Sequence, residues 1–311
     1  MGKIAFLFSG QGAQYVGMGK EFFDNVESSR KIFETADEVL GFSMSDMCFE
    51  GPKEKLDETE NTQPAILTTS IAALKALESF NIRPDITAGL SLGEYSALVL
   101  SGVFKFKDAV TLVKKRGKYM QEAVPQGMGA MAAIIGLDGE VIKNICSECS
   151  NDGVVEIANL NCPGQIVISG DKDAVKEAAN MTKERGARKA IELSVSGPFH
   201  SSKMIPAAKK LEVELKNIDV YDFKIPVITN VTGEIVKDVN DVKPYLKKQV
   251  MSTVYFEKTI RNMIDMGVDT FVEIGPGKVL SGFVRKINRK LTVLNVQDME
   301  SLKITVDKLN S

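Results

Sequence analysis

Gly89-Leu90-Ser91-Leu92-Gly93 puts a serine between two glycines, where the apolar signal ITAGLS ends and the helix-like segment LGEYSALVLSG begins. G-x-S-x-G in that context reads as a nucleophile elbow. The sharp turn strains its central residue, so the flanking positions must lack a Cβ to clear the neighbouring strand and helix. The turn lifts the hydroxyl out of the sheet and leaves main-chain N–H groups at the helix start facing a developing oxyanion. Leu92 would supply one of these donors. A tight strand-to-helix turn with a buried serine carries the same signature, so the motif needs partners before it means chemistry.

A serine hydroxyl is a poor nucleophile unless a base takes its proton, and in most such enzymes that base is histidine. The chain holds a single histidine, His200, in the turn Gly197-Pro198-Phe199-His200-Ser201-Ser202. A lone histidine is usually a surface or satisfied core residue. Here the elbow serine has no other imidazole to pair with, so Ser91 and His200 are expected to form a dyad. The group that orients the imidazole stays open at this level. Many acids precede His200 without distinguishing context, and a main-chain carbonyl could accept the Nδ1 proton instead.

A second oxyanion donor should come from another loop at the carboxyl end of a strand. Gly10-Gln11-Gly12-Ala13-Gln14 directly follows the apolar run Lys3 to Phe8, and its small residues let backbone approach a ligand. As a nucleotide loop it fails. A dinucleotide fingerprint from Gly10 would need glycine where Tyr15 stands, and a phosphate loop ending at Gly19-Lys20 would need glycine at Gln14 and a hydroxyl residue at Glu21. NAD and ATP sites are not expected.

The elements that must position these loops show the same rhythm. Strand, glycine turn and helix recur at the N-terminus and around Ser91. TFVEIGPG repeats the strand and glycine turn, and IPVITNVTG reads as another buried strand. Such alternation predicts a mostly parallel α/β sheet, an α/β-hydrolase-like core. Between about 127 and 197 the pattern changes to short strand signals, with helix-like segments around 138 to 150 and 172 to 186. That β-α-β-β-α-β order predicts an inserted ferredoxin-like α+β subdomain. The expected organisation is a large catalytic domain of residues 1–126 and 198–311, with 127–197 inserted. A length of 311 residues suits it.

With 39 basic against 41 acidic residues, no global basic field gathers nucleic acid. Apolar stretches such as AMAAIIGL fall well short of the roughly 18 residues that a membrane span requires. The N-terminus shows no signal pattern, and a reducing, cytoplasmic setting is expected. Cys146 and Cys149 form one C-x-x-C, but structural zinc needs about four ligands and no second pair exists, so they read as helix thiols without a metal.

Taken together and in order, GQGAQ, GLSLGEYSALV, GPFHS and EIGPGKVL resemble malonyl-CoA:acyl carrier protein transacylase of type II fatty acid synthesis, and the acyltransferase domains of polyketide synthases. The likeness spans nearly the whole chain. It implies an acyltransferase, an acyl-carrier-protein S-malonyltransferase, whose Ser91 becomes malonylated and passes the acyl group to the phosphopantetheine thiol of the carrier by a ping-pong route, with His200 as base. The family's oxyanion donors map to the N–H groups of Gln11 and Leu92. Its histidine is oriented by a glutamine main-chain carbonyl, which LKKQVMSTVYF places at Gln249. Its carboxylate-binding arginine matches Arg116 in TLVKKRGKYM, and Gln63 in NTQPA matches another pocket position. A planar guanidinium binds a carboxylate through two parallel hydrogen bonds, and left unpaired it disfavours acyl groups without one. Leu90 stands where many members carry histidine. Phe199, before the base, is a choice that in polyketide domains accompanies malonyl rather than branched substrates.

The resemblance implies malonyl-CoA and acyl carrier protein as partners and no cofactor; a monomer is expected, with neither nucleic acid nor membrane as a partner. Two other readings compete. A serine hydrolase of thioesters or lipids would use the same elbow and base with water. A non-catalytic carrier-docking subunit would keep Ser91 and His200 as relics. Carrier proteins are usually acidic, so Lys114, Lys115 and Lys118, or Arg285, Lys286, Arg289 and Lys290, could steer docking.

Overall fold

The computed structural model describes residues 2–125, 127–151, 153–193, 195 and 197–310; the expected domain limits at Met1, Gln126 and Ser311 fall outside them. Eight strands are formed among these residues: β1 (Lys3–Phe8), β2 (Ile86–Gly89), β3 (Gly129–Ile135), β4 (Val155–Cys162), β5 (Gln165–Asp171), β6 (Lys189–Glu192), β7 (Val268–Ile274) and β8 (Thr292–Val296). They divide into a parallel sheet ordered β2-β1-β7-β8 and an antiparallel sheet ordered β4-β5-β3-β6.

The parallel sheet is covered on both faces, which is why β1 is a continuous apolar run rather than an alternating one. Ala5, Phe6, Leu7 and Phe8 are all buried, and each phenylalanine so withdrawn contributes roughly 1.5–3 kcal/mol. One face packs on the helix Thr59–Glu78, which is buried on nearly every side and so carries little amphipathic pattern. The helix Phe106–Glu122 crosses its N-terminal end at Gly117, where a Cβ would come within 2.5 Å of the Thr59 carbonyl oxygen. Close approach there brings the neighbouring Arg116 to Gln63.

The antiparallel sheet has the order of a ferredoxin-like β-α-β-β-α-β unit. The helices Gly139–Glu148 and Lys172–Glu184 cover one face, over a small core that includes Ile134, Ile142 and Ile168. Its edge strand β4 is tied to the rest of the chain: Leu160 N donates to Val254 O at 2.9 Å and Val254 N to Ala158 O at 2.8 Å. Cys146 lies in the first of these helices, its thiol pushed up to about 12 by burial.

IPVITNVTG departs from the expected strand. Val227 and Ile228 are buried, but pairing with β2 is a single parallel bridge from Thr87 to Val227. Pro226 has no N–H to extend a ladder. The chain then turns back, with Ile228 bridged to Ile235, and this turn delivers Asn230 beneath the elbow.

Candidate active site

The elbow forms as its glycines require. Ser91 has φ 53°, a left-handed conformation that costs a non-glycine residue of order 1 kcal/mol or more. A Cβ on Gly89 would run into the Gly93 carbonyl carbon, and one on Gly93 into the Phe8 carbonyl oxygen. The strain is held by Asn230, whose Oδ1 accepts from Ser91 N at 2.6 Å and whose Nδ2 donates to Gly89 O at 2.7 Å.

His200 stands against the nucleophile, with Ser91 Oγ 2.8 Å from its Nε2. Its Nδ1 lies 2.8 Å from Gln249 O. A carbonyl can only accept, so Nδ1 carries the proton and Nε2 is left to take the serine proton. The orienting group left open by the residues alone is therefore a main-chain carbonyl, at the position the resemblance indicated. His200 too has a positive φ, 61°, and is pinned by its own N–H on Val250 O at 3.1 Å. Burial, reinforced by the Arg116 charge, pulls the imidazole down to about 4, so it is unprotonated at neutral pH.

Arg116 is the third group at the hydroxyl. It is 1% exposed. Nη2 donates to Ser91 Oγ at 3.1 Å and to Gln249 Oε1 at 3.0 Å, while Nη1 donates to Gln63 Oε1 at 2.8 Å. The guanidinium lies over the Tyr95 ring, 5.4 Å from its centroid. Its Nε–H is buried with no partner among the described residues. A cation so enclosed, with a donor unspent beside the elbow serine, has the chemistry to receive an anionic group.

These residues open into a cleft of about 540 Å³ lined by Gln11, Ser91, Arg116, Phe199 and His200 and, from the antiparallel sheet, Asn161. It lies outside the carboxyl ends of β1, β2 and β7, where parallel sheets place their ligands. Gly10 packs on the Leu90 carbonyl so closely that a Cβ would sit 2.5 Å from it. The Gln11 side chain is anchored on Thr59 Oγ1 at 3.1 Å. The main-chain N–H groups of Gln11 and Leu92 have no acceptor among the described residues. Gln63 reaches the site through Arg116 and Met120, and Phe199 forms cleft wall.

Two residues with no assigned role in the sequence complete the cluster. Glu94, in the first turn of the helix Gly93–Leu100, is 2% exposed, and its Oε2 accepts from Asn230 N at 3.0 Å and Gln249 Nε2 at 2.6 Å. A carboxylate at a helix N-terminus reads as ordinary dipole compensation; the apolar run after it, YSALVL, was the available sign of burial. Asn230 carried no signal, because its partners are 139 and 141 residues away.

Fold and site together define an acyltransferase with a serine nucleophile geometry, and residues 5–306 match the family model for the acyl transferase domain. Within that class the chain belongs to the malonyl CoA-acyl carrier protein transacylase family. It is 51% identical over 310 residues to the transacylase of Bacillus subtilis, covering 99% of this chain and 98% of that one. With a Staphylococcus aureus relative it shares 45% over 304 residues, 97% of this chain and 98% of the other. The crystal structure of the Clostridium perfringens transacylase superimposes with a TM-score of 0.97 at 52% identity, over 99% of this chain and 97% of that one. A malonyl-transacylase in complex with its type II polyketide acyl-carrier protein gives 0.96 at 40% identity, over 98% and 99%.

Proposed function

We propose that the protein transfers a malonyl group from malonyl-CoA to the phosphopantetheine thiol of acyl carrier protein through a malonyl-Ser91 intermediate. Residues 1–126 with 198–311 act as the catalytic domain, and 127–197 as an inserted subdomain forming the far wall of the cleft. The observation that carries this reading is the buried Arg116 guanidinium in contact with the nucleophile.

The thioester carbonyl enters beside Ser91, with its distal carboxylate on Arg116. His200 Nε2 takes the hydroxyl proton as Oγ attacks, and the oxyanion is received by the N–H groups of Gln11 and Leu92. Collapse breaks the C–S bond, and the imidazolium returns its proton to the departing CoA sulfur. The carrier's thiol then gives its proton to His200 and attacks the acyl-serine, and Ser91 leaves reprotonated. Gln249 O holds the imidazole and balances its charge during both halves. Each step uses side chains or main chain of this protein and calls for no cofactor.

A hydrolase of neutral acyl groups gains nothing from a desolvated cation at its nucleophile. The deciding experiment is intact-protein mass after brief mixing with malonyl-CoA or acetyl-CoA, with Ser91→Ala as control. One malonyl adduct, absent with acetyl-CoA and absent in the variant, supports the reading. Release of CoA without any adduct points to the hydrolase, and neither adduct nor release to a docking subunit.

A further inference from the structure

Among the described residues, two carboxylates are fully withdrawn from water without a lysine or arginine in ion-pair contact, Glu94 and Glu273. Burying an uncompensated charge is costly, so each needs an account. Glu273 caps a helix: its oxygens accept the N–H groups of Leu280 at 3.0 Å and Ser281 at 2.6 Å, where the helix Val279–Ile287 begins. Glu94 faces the active site instead, and the two N–H groups that donate to its Oε2 hold catalytic geometry.

One donor is the main chain of Asn230, whose side chain clamps Ser91 N and Gly89 O. The other is Gln249 Nε2, which also donates to Ser91 O at 3.0 Å. Both amide hydrogens of Gln249 are therefore spent on acceptors, and its Oε1 is left to face Arg116 Nη2. Turned over, the amide would set its NH₂ against guanidinium donors and its oxygen against the Glu94 carboxylate and the Ser91 carbonyl. Nothing in that arrangement is satisfied.

We propose that Glu94 is a positioning residue for acyl-group selection: as a buried double acceptor it fixes the Gln249 amide with its oxygen on Arg116, and so aims the guanidinium at the substrate carboxylate. The proposal rests on the malonyl-transfer reading above. The carboxylate also supplies negative charge within the cluster that buries Arg116. Burial pushes the Glu94 carboxyl upward, against the hydrogen bonds from Asn230, Thr229 and Gln249 and the pull of Arg116.

The test compares kcat/KM for malonyl-CoA and acetyl-CoA in wild type, Glu94→Leu and Glu94→Gln, with carrier protein as acceptor. Rates are normalised to sites labelled by a neutral sulfonyl fluoride, so that misfolded protein is not counted. Glu94→Leu, similar in size but without an acceptor, should lower the malonyl-to-acetyl ratio at least tenfold, chiefly through the KM for malonyl-CoA. Glu94→Gln keeps one acceptor oxygen and should restore much of the ratio. An unchanged ratio in labelled Glu94→Leu, or equal losses on both substrates with no rescue by glutamine, overturns the proposal. If the leucine variant yields no labelled protein, Glu94→Asp decides, since the shorter chain withdraws the acceptor from Gln249 and must lower the ratio. A wild type that does not prefer malonyl-CoA sinks the malonyl reading itself, whatever the variants do.

Discussion

Acidification reads the state of His200 directly. Burial and the Arg116 charge lower its pKa from 6.5 to about 4, outweighing the main-chain hydrogen bonds to Gln249 and Ser252 that favour the charged form. Down to about pH 5 the imidazole therefore remains able to take the Ser91 proton, and capacity falls about tenfold per unit only below about pH 4. A neutral sulfonyl fluoride reports this in the free enzyme, without the titration of a malonyl carboxylate. Its second-order rate constant for inactivation should be flat from about pH 8 to 5 and half-maximal near the folded pKa. The same shift acts on stability. Between the two pKa values the unfolded chain binds a proton that the native state refuses, so stability is full above the unfolded value and is lost as pH falls to the folded one. The loss from this one group is about 3 kcal/mol. His200→Gln removes the titration, and its denaturant midpoint should decline less over that window than the wild-type midpoint. An inactivation midpoint near the ordinary histidine value, with parallel acid slopes for the two proteins, refutes the argument that the base is held neutral by burial.

Arg116→Leu should lower kcat/KM for malonyl-CoA by a hundredfold or more, since losing the hydrogen bonds of a charged donor costs about 3 kcal/mol, and should leave acetyl-CoA less affected. Transfer kinetics with both thioesters check it. Gly93→Ala forces a methyl onto the Phe8 carbonyl; a loss of roughly 1–3 kcal/mol in urea unfolding is expected, together with slower labelling of Ser91. Of the two basic clusters, the first is largely spoken for: Lys115 pairs with Glu214 at 2.7 Å and Lys118 lies 3.8 Å from Glu122. Arg289 and Lys290 have no carboxylate partner among the described residues, and the helix leading to them supplies Val279 and Phe283 to the cleft. Reversing Arg289 and Lys290 should raise the KM for carrier protein and flatten its salt dependence, with the KM for malonyl-CoA unchanged; a salt-insensitive wild-type rate would remove electrostatic steering.

What the sequence could disclose followed the range of its interactions. Gly89, Ser91 and Gly93 announce the elbow because their constraint is local, a turn in which a Cβ has no room. The β-α-β-β-α-β order was legible for a similar reason, since strand and helix periodicities are read within each segment. The helices at Gly139–Glu148 and Lys172–Glu184 lie inside the expected spans. Arg116 sits in the basic run TLVKKRGKYM with nothing local to mark it for burial, and only the likeness to a family singles it out. Its burial is set by Gly117, which lets the helix settle on the Thr59 carbonyl, and that contact has no local signature. Asn230 and Glu94 were missed for the same physical reason. Their roles exist only once chain segments more than a hundred residues apart have closed.

On the malonyl-transfer reading proposed above, selection would work more by penalty than by attraction. Water screens a surface arginine and would let a neutral acyl group pass with little loss. Arg116 is sealed from solvent, held by Gln63, Gln249 and Ser91, with Nε–H unspent. An acetyl group would leave that charge buried without its anion at the moment Ser91 must attack, while a malonyl carboxylate satisfies it. The guanidinium also donates to a lone pair of the attacking oxygen, while Ser91 Oγ already lies 2.8 Å from His200 Nε2, so a carboxylate that drew Arg116 toward it would release that lone pair for attack. Recognition and nucleophile release would then be two ends of one hydrogen-bond exchange, and substitutions at Arg116 and Gln249 should be strongly non-additive in a double-mutant cycle.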